Sequence, residues 1–172
     1  MFNVGEYIVY GTSGVCKVED VTTMDMDGVP KDRLYYILKP VYMSKSTIMT
    51  PVDNTKVVMR AVMTKDEVNS LIDDMDHIET ESVNDDKKRG ERCKSTLASC
   101  ESRELVRMIK SLNSRNQRRI AQGKKLTSGD ERYFHMAEDS LYGEMAVTLN
   151  IDKSEVPAYI SKRIGSKREA LC

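Results

Sequence analysis

Residues Val4–Val21, VGEYIVYGTSGVCKVEDV, alternate apolar and polar positions on either side of a short glycine turn. A period of two is the pattern of half-buried strands, each showing one face to a core. Gly11 and Gly14 let the chain reverse where a side chain would clash. The stretch offers no obvious nucleophile, base or phosphate cradle, which points to an architectural content. Working outward, runs rich in Val, Ile, Tyr and Thr recur at Leu34–Leu38, Thr47–Val52 and Val57–Val62. Turn signals separate them: Asp27-Gly28, which favours a type I′ turn, Lys39-Pro40, and Thr50-Pro51 with Asp53-Asn54. Together with Tyr7–Tyr10 and Val15–Val21 they make an antiparallel unit of about five strands, which hides its edges best by closing into an SH3- or Tudor-like β-barrel.

The pattern changes at Thr64. In TKDEVNSLIDDM, Thr64 and Glu67 stand in capping-box spacing, and Val68, Leu71, Ile72 and Met75 share one helical face. The polar DHIETESVNDD reads as a linker, with Asn84 placed to cap a second helix over roughly residues 85–99, where Asp85 and Asp86 suit the positive end of the dipole. A third helix spans about Ser102–Gln122, with Leu105, Ile109, Leu112 and Ile120 inward and Gly123 as its stop. Ser128 with Glu131 caps a fourth, buried through Tyr133, Met136, Ala137, Leu141 and Met145. Ser154 and Pro157 open a short fifth that ends at Gly165. The expectation is an α+β chain: a β domain over residues 1–63 and an all-helical bundle over 64–172.

Catalysis finds little to work with. Histidine is the usual general base near neutral pH, and His77 and His135 have no partner at a telling spacing. GTSG at Gly11 is not a nucleophile elbow, and GKK at Gly123 lacks the phosphate-loop spacing. The adjacent acids Asp73-Asp74 and Asp85-Asp86 diverge on a helix and do not clamp one metal. Cys16, Cys93, Cys100 and Cys172 include no C-x-x-C pair, which points to reduced thiols rather than a zinc site or a disulfide framework. The reading is a non-enzyme without cofactor or metal. With no apolar run long enough to span a bilayer and no secretory leader, the expected location is the cytoplasm.

Charge is more informative. The chain balances 27 basic against 27 acidic residues, yet Met1–Met75 holds 8 against 11 while Lys87–Arg132 holds 14 against 5. Sorting of charge by region is the footprint of a polyanion binder. The basic residues concentrate in DDKKRGERCK, with Lys87, Lys88, Arg89, Arg92 and Lys94, and in RNQRRIAQGKK, with Arg118, Arg119, Lys124 and Lys125. A solvated helix face explains either run alone; both in one small bundle favour contact with a phosphate backbone. The β unit is a second candidate, because an exposed edge strand docks another protein's strand.

FNVGEYIVYGTSGVCKVEDV, MDGVPKDRLYYILKP, STIMTPVDNTKVVMRAV and the helix after them resemble the N-terminal half of the CarD/CdnL family of bacterial transcription regulators. That half is also similar to the polymerase-interacting domain of the transcription-repair coupling factor. STLASCESRELVRMIKSLNSRN and LTSGDERYFHMAEDSLYGEMA extend the resemblance over the helical half. It implies a regulator that binds the RNA polymerase β subunit through the barrel, with Met24, Ser46, Thr47, Met49, Thr50 and Pro51 at the polymerase-facing edge. It also implies contact with the backbone and minor groove of promoter DNA at the upstream edge of the bubble, which modulates open-complex stability. The DNA-facing set is then Asp86, Lys87, Lys88, Arg89, Arg92 and Lys94, with Arg118, Arg119, Lys124 and Lys125. The chain has no tryptophan, and the family's wedge position falls at Asp85 or Asp86, which cannot stack on a base. Arginines of the family's barrel align with Met24 and Met49. A monomer is expected; the alternative is a protein-only adaptor whose basic helices bind an acidic partner.

Overall fold

A computed structural model describes residues 1–25, 28, 30–43 and 45–170. Asp27 of the expected Asp27-Gly28 turn, and Cys172, lie outside the described residues. The chain forms two compact units, Met1–Val62 and Met63–Cys172. The first is an antiparallel sheet and the second is helical, an α+β arrangement.

The sheet is built from β1 (Tyr7–Tyr10), β2 (Val15–Thr23), β3 (Leu34–Pro40), β4 (Ile48–Pro51) and β5 (Met59–Ala61), in the order β4-β3-β2-β1-β5. Among the described residues the ladders run from β4 to β5 without joining those two ends. Register places Ile8 opposite Cys16, Val18 opposite Leu38 and Tyr36 opposite Thr50. Ile8, Cys16, Val18, Tyr36 and Leu38 form the core, as the period-two pattern requires. A bulge between Val18 and Asp20 restores that phase along the nine-residue β2. Lys39-Pro40, read as a turn, instead ends β3, with Pro40 opposite Cys16. Val41 N–H donates to Val15 O at 3.0 Å, so Pro40 occupies a non-hydrogen-bonded position toward β2. Its missing N–H faces the other side, beyond the end of β4, and no ladder bond is lost.

The helices are α1 (Lys65–Asp74), α2 (Asp86–Ser99), α3 (Ser102–Ala121), α4 (Ser128–Leu149) and α5 (Val156–Ala170). Thr64 Oγ1 accepts from Glu67 N–H at 3.2 Å and Glu67 Oε2 accepts from Thr64 N–H at 2.7 Å, the reciprocal box that spacing predicts. Asp85, not Asn84, caps α2, accepting from Lys88 N–H at 2.8 Å. Thr127, not Ser128, caps α4 through Asp130 N–H. Gly123, at φ +67°, closes α3 as expected, donating to Ile120 O. Gly165 stops nothing: α5 continues to Ala170, held on α1 where Arg163 grips Asp73 with two 2.8 Å bonds and Lys167 reaches Asp73 O.

Val68, Ile72, Leu97, Leu105, Leu112, Ala137, Leu141 and Met145 share one core. Ile120, expected inside, is 56 % exposed, because the last turn of α3 runs past that core. The polar segment between α1 and α2 is no free linker. Ile78 is buried, and Lys110 Nζ donates to Met75 O at 2.8 Å and Ile78 O at 2.6 Å. Further on, Arg107 Nε donates to Glu79 O at 3.3 Å, and Glu81 N–H donates to Ser111 Oγ at 2.8 Å. These hydrogen bonds strap residues 75–81 along α3.

Gly11 sits at φ +47°, and a Cβ there would lie 2.6 Å from Val57 Cγ1. Gly11→Ala therefore combines backbone strain with overpacking and should lower the stability of the sheet unit by about 1–3 kcal/mol in chemical denaturation. Gly129→Ala, facing open space in the first turn of α4, should be neutral or stabilising by up to about 1 kcal/mol in the same assay.

Candidate functional site

Among the described residues of the sheet unit, β4 is an outer strand, bonded to β3 alone. Val52 N–H donates to Leu34 O at 3.0 Å, so by antiparallel alternation Thr50 and Ile48 point their backbone groups inward at Tyr36 and Leu38. Met49 and Pro51 point theirs outward. Pro51 has no N–H, and its carbonyl accepts from Asn54 N–H at 3.1 Å. Within β4 the open edge reduces to the N–H and C=O of Met49, a blunted edge of the kind that limits strand addition. Side chains supply more. Met49 stands opposite Ile37 and Pro51 opposite Tyr35, close non-hydrogen-bonded pairs on the face away from the core. Met49 is 56 % exposed, and Arg33, paired with Asp53 at 3.0 Å, lies over the Tyr35 ring at 5.9 Å. The result is an apolar strip, Met49, Ile37, Tyr35 and Pro51, bounded by an arginine.

In the helical unit the basic runs meet a buried carboxylate. Asp130, in the first turn of α4, is 4 % exposed. Arg89 of α2 donates to it from Nε at 2.7 Å and Nη2 at 3.3 Å, and Arg115 of α3 donates from Nε at 2.9 Å. Burial opposes its charge, but the hydrogen bonds of Arg89, Thr127 and Arg115 outweigh that and hold the carboxyl below its usual 3.8. Arg89 also donates to Asp86 Oδ1 at 2.7 Å and to Val83 O at 3.1 Å. One acidic group thereby gathers the start of α2, the end of α3 and the start of α4. Arg92 is occupied as well, by Glu81 Oε2 at 3.2 Å and Glu104 Oε2 at 3.3 Å. Lys87, Lys88, Lys94, Lys124 and Lys125 are exposed and enter no ion pair among the described residues. Among the described residues Arg118 and Arg119 donate to carbonyls alone, Ser114 O and Lys125 O.

His77 and His135 are exposed and face Asp74 and Glu138 at 3.6 and 3.7 Å. Burial pushes the thiols of Cys16 and Cys93 up to about 11, well away from thiolate chemistry. Among the described residues no three His, Cys, Asp or Glu side chains converge as a metal site, and no helix is long and apolar enough to cross a membrane.

Residues 2–63 match the family model of the CarD-like/TRCF RID domain. The N-terminal unit belongs to this family. The assignment carries a transcription-related, RNA polymerase-interacting role, and the match ends where the helical unit begins.

Within the RID unit the six expected polymerase-facing residues do not form one patch. Ser46 and Thr47 precede β4 at the Leu38 end of β3, whereas Met24 follows β2 at the Leu34 end, two strands from β4. Thr50 is 1 % exposed, its Oγ1 accepting from Tyr10 Oη at 3.2 Å and Asn54 Nδ2 at 2.9 Å, so it braces β4 from inside. Met49 and Pro51 keep an outward position. Tyr35 and Ile37 were missed, although LYYILKP carries apolar residues at both phases, a signal that each face of β3 is apolar. In the helical unit, Arg89 is 8 % exposed and committed to Asp130, whereas Arg92, half exposed, is bridged to Glu81 and Glu104. Asp86 is held by Arg89 and, at 3.5 Å, by Arg115. The remaining cations converge: Lys87, Lys88, Arg118, Arg119, Lys124 and Lys125 share the end that Asp130 ties together, and Lys94 lies about 10 Å further along α2.

Asp130→Asn leaves the buried guanidinium of Arg89 without its main counter-charge and should cost the helical unit about 3–5 kcal/mol at neutral pH. Because the folded carboxyl titrates below 3.8, its contribution is complete above that value and fades as pH falls through the lower folded value. Denaturation midpoints measured from pH 7 to pH 2 should therefore fall less steeply below pH 3.8 for the variant than for the parent chain.

Proposed function

We propose that this protein is a transcription regulator that docks on the β subunit of RNA polymerase through its RID unit and grips promoter DNA with its helical unit. What supports the reading is the RID match over residues 2–63 beside a helical unit whose ion-pair-free cations gather at one end. In the RID unit the docking surface is the strip of Met49, Ile37, Tyr35 and Pro51, in a small Tudor-like sheet. Apolar contact contributes more there than backbone pairing, since β4 offers one outward N–H. In the helical unit Lys87, Lys88, Arg118, Arg119, Lys124 and Lys125 hold phosphates, with Lys94 at the flank.

Asp86 cannot open a base step: its carboxylate is anionic and already engaged by Arg89 and Arg115. Contact with DNA is consequently a backbone contact, in which counterion release supplies the affinity and sequence matters little. Such a protein favours the open promoter complex to the extent that it binds the open state more tightly than the closed one.

Two measurements test the two halves. Replacing Lys87, Lys88, Lys124 and Lys125 together by Ala should flatten the dependence of DNA affinity on salt, by about 0.9 in log–log slope for each phosphate no longer neutralised. The same variant should leave capture of a polymerase β fragment unchanged. Met49→Glu should abolish that capture while leaving the salt slope intact. A variant without the four lysines that keeps both its salt slope and the parent open-complex lifetime would favour the adaptor, in which the basic helices meet an acidic protein instead of DNA.

A further inference from the structure

The end of the segment between α1 and α2 borders a cleft. Its walls are residues 81–83, α2 and α3, and five arginines line it: Arg89, Arg92, Arg107, Arg115 and Arg118. The floor is apolar, with Met108 and Leu112. Two of the arginines, Arg89 and Arg115, are committed to buried Asp130. The other three are not. Among the described residues Arg118 donates to Ser114 O alone, and Arg92 and Arg107 meet carboxylates that water reaches: Glu81 and Glu104 for Arg92, Glu104 for Arg107. In the Arg92–Glu81 pair the side chains are 49 % and 45 % exposed. Ion pairs that open contribute little and exchange partners readily.

Glu81 enters the cleft on the strap, with a carboxylate where an external anion would meet the guanidinium forks. Phosphate suits such a place better than carboxylate, since it carries more charge and more acceptor oxygens for planar, bidentate donors. We infer that this arginine-lined cleft is a phosphate-binding site, and that Glu81 occupies it from within the chain until a phosphate-bearing ligand takes its place. Arg92, Arg107 and Arg118 are the residues that receive the ligand. Displacing Glu81 also strains the Glu81 N–H bond to Ser111 Oγ, so occupancy and release of the strap are coupled. The phosphate comes either from a free polyphosphate or from a nucleic-acid backbone; the second source rests on the proposed DNA contact, the first does not.

Binding of inorganic tripolyphosphate and of a short DNA duplex is compared for the parent chain, Glu81→Gln, and Arg92→Gln combined with Arg107→Gln, with circular dichroism to check folding. Removing the internal competitor in Glu81→Gln should tighten binding about two- to fivefold, the range an exposed ion pair supports. The double arginine variant should weaken it, and hydrogen exchange at the Glu81 amide should quicken when ligand binds. These responses with tripolyphosphate identify a site for free anions; the same responses with DNA alone place the cleft on the path of the duplex. If neither ligand's affinity changes in folded Glu81→Gln and the Glu81 amide is indifferent to ligand, the inference is overturned. DNA binding that falls in the four-lysine variant would then still stand as the proposed function, whereas absence of any anion binding by every form would remove both.

Discussion

The helical unit depends on one carboxylate. Asp130 is nearly sealed from water at the start of α4; its Oδ1 accepts from Arg89 of α2 and its Oδ2 from both Arg89 and Arg115 of α3. A lone carboxylate there would be strongly disfavoured, and so would a lone guanidinium; together they satisfy each other's donors and acceptors. Because the three side chains come from three helices, the requirement fixes where those helices meet. That meeting point is also where the basic runs of the chain come together.

The same constraint sorts the cations by how far each is neutralised. Arg89 is buried and Arg115 half-buried, and both are committed to Asp130. Arg92 and Arg107 form an intermediate set, restrained by Glu81 and Glu104 at the surface, where water screens the pairing. Lys87, Lys88, Lys124 and Lys125 carry their charge into solvent on the frame that Asp130 holds. A high density of positive charge is tolerated at one end of a small bundle because part of it is neutralised inside. The remainder is thereby available to an outside anion.

The RID unit follows another logic, that of a sheet showing one apolar face to its own core and part of the other to solvent. Thr50 and Tyr36 face inward, while Met49, Ile37 and Tyr35 do not. Pro51 and the Asn54 turn quiet the backbone of the outer strand, which lowers the risk of indiscriminate strand addition. What is left for a partner is a short apolar strip beside Arg33.

Local signals were legible in the sequence by itself. The alternation in Val4–Val21 placed β1 and β2, Thr64 with Glu67 placed the start of α1, and Gly123 placed the end of α3, because each signal acts over a few residues. The caps of α2 and α4 were one residue off, since Asn84 and Ser128 have the same capping chemistry as their neighbours Asp85 and Thr127 and only geometry separates them. The reversal between α2 and α3, at Cys100 with φ 56°, had no glycine to announce it. The roles of the charged residues were decided by tertiary structure. Arg89 and Lys88 are adjacent in sequence and alike in charge, but a helix turns them about 100° apart, so that one meets a carboxylate 41 residues away and the other meets water. A run of basic residues reports how much positive charge a segment carries. Which of those charges remain free is settled only when distant helices pack and some of the charges find counter-ions inside.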